Sequence, residues 1–125
     1  MRVVIAGLLA VLVGLTFAHA GGSAALGAHP YWAVRVGYYG AIPGLGLALA
    51  LIWLASRRVM VLGLAALWLG SALAVIYGKA RFVAFFAEDA VAGRFWFIGW
   101  IALMAALVAS LTIVLSRARR RHQRA

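Results

Sequence analysis

The chain has 125 residues, 67% of them hydrophobic, and only 12 basic and 2 acidic side chains. A soluble domain is about 45–50% apolar, so these few charges cannot cover a water-facing exterior and lipid must solvate most of the surface. The net charge of +10 does not signify nucleic acid, because the bases sit at the ends of apolar runs and form no basic face interleaved with polar readers.

Val3 to Ala18 is an apolar run preceded by Arg2 and interrupted only by Thr16. Ala18-His19-Ala20 also matches the small-x-small pattern cut by signal peptidase. Gly7, Ala10, Gly14 and Ala18 recur on one face, as a packed helix requires and a cleaved leader does not. A retained first span over about residues 3–20 is therefore favoured. Gly21 to Ala33 reads as a loop ending in His29-Pro30-Tyr31-Trp32. Pro30 biases His29 towards extended backbone, and Tyr31 and Trp32 suit the headgroup level.

The second span is residues 36–55, and its twenty residues reach about 30 Å, one hydrocarbon thickness. Arg35 opens it, with Tyr38 and Tyr39 a turn further in. Gly37, Gly40 and Gly44 keep one face low for close packing. Pro43 has no amide hydrogen, so a kink is expected near Gly40–Pro43. Ser56-Arg57-Arg58 turns the chain, and the third span is residues 59–78. So short a connection predicts that spans two and three are antiparallel neighbours. Val83 to Ala87 reads as a helical or interfacial extension, with Phe82, Phe85 and Phe86 on one side. The fourth span is residues 95–116, followed by a basic tail, 117–125, expected to be poorly ordered.

The predicted fold is all-α, a four-helix transmembrane bundle in one integral membrane domain. If the N-terminus is cytoplasmic, that side holds Arg2, Arg57, Arg58, Arg117, Arg119, Arg120, Arg121 and Arg124, against Arg35, Lys79, Arg81 and Arg94 on the other. Eight bases against four places both termini in the cytoplasm. The small-residue spacing of the first span recurs as Gly37, Gly40, Gly44 and Ala48, as Gly63, Ala66, Gly70 and Ala74, and as Gly99, Ala102, Ala106 and Ser110. Such faces let backbones approach, although Gly, Ala and Ser make up more than a third of the chain.

Antiparallel spans two and three would bring Arg35, Tyr38 and Tyr39 to the same face as Tyr77, Lys79 and Arg81, joined by Glu88, Asp89 and Arg94 from the loop. One reading is a headgroup, anion or small-ligand site. The other, which explains most of it, is an aromatic belt with interfacial arginines snorkelling outward. Arg35 lies within a turn of the apolar run and needs a partner, for which Glu88 or Asp89 is the expected residue. His19 and His29 read as solvated loop histidines, not metal or haem ligands. No cysteine is present, which excludes disulfides and Cys-ligated metals. No carboxylate lies inside a span, and no Ser-His-Asp set, metal motif or phosphate loop occurs. Neither enzyme activity nor a cofactor is expected.

Arg35-Val-Gly-Tyr-Tyr-Gly40, the Gly-Leu-Gly46 that follows, and Tyr77-Gly-Lys-Ala-Arg81 resemble a class of small four-span bacterial membrane proteins carrying a domain of unknown function. That class has an Arg-x-x-x-Tyr-Gly-Gly-like start to its second helix and an Arg near the end of its third. Ala41 stands where the second glycine of that motif would be. The resemblance covers about residues 33–98 and implies four helices in a bacterial inner membrane, with no activity attached. The expected role is that of an accessory, scaffold or lipid-contacting subunit, its partners being membrane lipids and another membrane protein or further copies of itself. The alternative is a small oligomeric transporter or channel-like protein with an anion or substrate mouth near Arg35.

Overall fold

A computed structural model describes residues 2–85 and 89–124. Four long helices and one short one follow in order: α1 (Arg2–His19), α2 (Gly22–Ala25), α3 (Arg35–Leu54), α4 (Arg57–Ala84) and α5 (Ala90–Arg124). The four long helices are each long and apolar enough to cross a membrane. The short α2 sits inside the segment expected to be a loop, where Gly21 and Gly27 flank it with φ of +88° and +111°. Such angles are cheap only for glycine.

Local sequence sets the helix starts. Ser56 caps α4, its Oγ accepting from the Val59 amide at 3.3 Å. Asp89 caps α5, its Oδ1 accepting from the Ala92 amide at 3.0 Å. Both satisfy amides that have no partner within the helix. Ser23, fully buried, donates to the Ala33 carbonyl at 2.7 Å and pins the α2 segment against the entry to α3. α3 runs without interruption through Pro43.

α5 is the hub. Ala92, Trp96, Trp100, Met104, Val108 and Thr112 recur every fourth residue along it and are all buried, which makes a continuous ridge for its neighbours. α1, α3 and α4 each pack on α5, and α1 also packs on α3. α4 has α5 as its one substantial neighbour. This corrects the expectation that spans two and three are neighbours along their length: α3 and α4 touch only slightly. The short hairpin forces their ends together, and a cluster of Ala48, Met60, Ala109 and Ile113 fills that end. Beyond it the two helices diverge and α5 fits between them.

Glycine explains why α5 wins that place. A Cβ at Gly40 of α3 would lie 2.8 Å from the Ala105 amide nitrogen of α5. A Cβ at Gly78 of α4 would lie 2.5 Å from the Trp96 nitrogen. Both helices thus meet α5 backbone to backbone, the closest packing available in an apolar solvent. The small faces of α1 and α3 are buried. That of α4 is not: Gly63, Ala66 and Gly70 are exposed, and nothing lies within 4 Å of a Cβ built at Gly63 or Gly70. α4 turns a different glycine, Gly78, to its neighbour. The basic tail is also corrected, since α5 stays helical to Arg124.

Candidate functional site

The connections α1–α3 and α4–α5 lie at one end of the bundle, here the loop end; the α3–α4 hairpin and both termini lie at the other. Of the nine residues of the expected polar cluster, the eight that are described belong to the loop end by topology. Glu88 lies outside the described residues, as does Phe86 of the expected phenylalanine face. The remaining eight do not form one cluster, because α5 separates the start of α3 from the end of α4.

On the α3 side, the Arg35 guanidinium lies over the Tyr31 ring, 4.9 Å from its centroid, a favourable cation–π placement. Asp89 is not its partner. Tyr38 and His19 form a pair, hydroxyl to Nε2, at 2.8 Å. On the α4 side, Arg81 donates through Nε to Asp89 Oδ2 at 3.1 Å, and its guanidinium lies 6.0 Å from the Tyr77 ring centroid and 5.2 Å from that of Phe85. The Ala92 amide, followed by Arg81, holds the Asp89 carboxyl below its ordinary range, since both hydrogen bonds favour the ionised form.

Between the two halves stands an aromatic cluster that the sequence pattern did not single out. Trp96 of α5 packs edge-on against Trp32 at 5.2 Å and against His29 at 5.6 Å, and meets Phe82 of α4 at 5.6 Å. Phe97 adds contacts to Trp32 at 5.2 Å and to Tyr39 of α3 at 6.3 Å. Trp96 Nε1 donates to the Gly27 carbonyl at 3.1 Å, and Lys79 Nζ lies 6.0 Å from the Trp96 ring. This set ties the α2 segment, α3, α4 and α5 together at the loop end, with the Trp96 indole buried on its apolar face and bonded through its polar edge. Its members His29, Trp32 and Trp96-Phe97 lie far apart in the sequence, Trp32 and Trp96 by 96 − 32 = 64 positions, and no local period connects them. His29 is part of this cluster, and its Nδ1 accepts from the Tyr31 amide at 3.1 Å. His19 and His29 share no ligand geometry, and no group of three metal-binding side chains occurs among the described residues.

Several grooves open between the helices, and three of them bear on the loop end and the face of α5. The first, of about 520 Å³, runs between α4 and α5, with Arg94 at its rim. The second, of about 410 Å³, lies over α5 between α1 and α4 and is lined by Phe17, Trp68 and Trp100 among others. The third, of about 330 Å³, is an aromatic hollow beside His29 and Trp32 that also includes Arg94. Trp68 of α4 reaches Ser110 of α5, Nε1 to Oγ at 3.0 Å. Trp100 is only 4% exposed and its indole N–H has no acceptor among the described residues.

No protein-family model, curated protein or solved structure matches this chain. What the protein does has to follow from its own side chains.

Proposed function

We propose that this is a four-span integral protein of a bacterial inner membrane, with both termini cytoplasmic, that acts through contacts with lipid or with another membrane protein and carries out no chemistry of its own. One observation carries the reading. Only 17% of the apolar stretch of α4 is buried within the protein, against 50% for α5, so a helix with Leu62 and Leu69 about two-thirds exposed requires an apolar surrounding along most of its length. The charges support the orientation, eight bases at the hairpin end and four at the loop end. A transporter mouth at Arg35 finds less support, because Arg35 lies on Tyr31 and Arg94 stands at the rim of the apolar groove between α4 and α5.

The absence of cysteine makes the test direct. The protein is expected to stay in the membrane pellet after alkaline carbonate extraction. A single cysteine at Ala90 should react with an impermeant maleimide in intact spheroplasts, and one at Ser56 only after the membrane is opened. Extraction into the supernatant overturns the membrane reading; the reverse labelling pattern overturns the orientation.

A further inference from the structure

We propose that the groove between α4 and the first half of α5 holds one anionic phospholipid, an acyl chain lying in the groove and the phosphate on Arg94. The site presupposes the membrane-spanning reading above and adds a ligand to it.

The groove has the chemistry of an acyl-chain channel. α5 is otherwise the most buried helix, yet Val91, Phe95 and Ile98 are 60%, 48% and 58% exposed along it. They face the small residues Ala66, Gly70 and Ala74 of α4 across the groove. A floor of small side chains beside a wall of large ones leaves a channel one chain wide. Only Ser71 and Arg94 among its lining residues are polar. Ser71 is already satisfied, its hydroxyl donating to the Leu67 and Trp68 carbonyls. The interior therefore asks for nothing but hydrocarbon, and the rim offers a guanidinium.

Length and charge identify the occupant. From Val91 to Ala102 α5 rises about 16 Å, half of the roughly 30 Å hydrocarbon core. A groove that starts at the loop end thus stops near mid-bilayer, where an acyl chain of one leaflet also stops. A helix from a partner would run the whole thickness. The loop end carries Arg35, Lys79, Arg81 and Arg94 against Glu88 and Asp89, an excess of two positive charges that suits a phosphate headgroup, and guanidinium matches phosphate geometry. The Tyr77–Arg81–Asp89 hollow adjoins the groove through Val91 and Phe95 and offers polar neighbours to the rest of the headgroup.

The test uses the full chain, purified in mild detergent and offered phosphatidylglycerol or phosphatidylcholine, with bound lipid counted by native mass spectrometry. One phosphatidylglycerol per chain should be retained, in preference to phosphatidylcholine. Arg94→Ala should cut that preference about fivefold, the worth of one interfacial cation, and Arg94→Lys should restore most of it. Gly70→Leu, which fills the groove at a position where a Cβ meets no protein atom, should abolish retention. Gly63→Leu is equally free of neighbours but outside the groove, and should leave retention unchanged. Equal retention of the two lipids, or a Gly70→Leu protein that still holds its lipid, overturns the proposal. So does loss of a dimer in both glycine variants, which would show the α4 face covered by a second copy. A protein that retains no preferred lipid yet resists carbonate extraction loses this site and keeps its membrane reading.

Discussion

Gly78 is the position where a single methyl group should matter most. A Cβ there would lie 2.5 Å from the Trp96 nitrogen, 2.7 Å from the Ala92 oxygen and 3.0 Å from the Phe95 carbonyl carbon. Ordinary contact begins at 3.4 Å, so α4 and α5 would have to part locally by 3.4 − 2.5 = 0.9 Å. All three obstacles are backbone, and no side chain can swing aside to relieve them. A gap of this size forfeits about a quarter to a half of each contact's attraction around it, and overpacking of a close interface costs about 1–3 kcal/mol. The alanine gains about 0.5–1 kcal/mol of helix propensity in return. With three backbone obstacles the overpacking cost lies at the upper end of that range, about 3 kcal/mol, and less a propensity gain of about 1 kcal/mol Gly78→Ala is expected to destabilise the protein by about 2 kcal/mol. Gly70→Ala, with nothing within 4 Å of its new methyl, should instead be neutral or slightly stabilising by the propensity difference alone. Equilibrium unfolding in mixed micelles, titrated with a denaturing detergent, reads both. If the two variants unfold at the same denaturant fraction, the backbone contact of α4 on α5 is not what holds α4, and the argument from glycine fails.

Trp96→Phe deletes the bond to the Gly27 carbonyl and should cost about 1 kcal/mol, whereas Trp100→Phe removes a buried donor with no acceptor and should cost less than that or stabilise; the same unfolding titration ranks them, and a larger loss at Trp100 would show that its N–H has a partner. The lowered Asp89 pKa means a contribution present at neutral pH and lost as pH falls below the ordinary aspartate range, about 3.9, through the lowered value. Thermal scans across acid pH should therefore show a decline that is shallower in Asp89→Asn, and an unchanged slope would remove the Arg81–Asp89 pair from the account.

The fold was legible in the sequence where one helix carries its own evidence. Apolar length marked the four long helices, and the glycine spacing of α1 and α3 marked their buried faces. It was not legible where the choice lay between helices. Gly63, Ala66, Gly70 and Ala74 have the same spacing as the buried faces, yet Gly63, Ala66 and Gly70 stand open, because spacing says that a face can pack and not that a neighbour will reach it. Gly78, seven residues after the buried Ser71 and outside that set, makes the closest backbone approach among the described glycines. The candidate site failed for the same reason. Placing Arg35 beside Arg81 depended on α3 and α4 being neighbours, and once α5 lies between them the residues sort into an Arg35–Tyr31 pair and an Arg81–Asp89 pair.

The position of the hub in the chain has a consequence for assembly. α1 and α3 can pack on each other when they emerge, but α4 makes no contact with α1 and little with α3. Helix association within lipid depends on packing and not on a hydrophobic drive, so α4 stands nearly alone until α5 arrives. α5, which follows α4 in the chain, is then the helix that joins α4 to the bundle, through a buried ridge that continues from Ala92 to Thr112. Held from one side only, α4 keeps most of its surface available. The same arrangement leaves the groove beside Arg94 open, since α5 is the one substantial neighbour that α4 has to share it with.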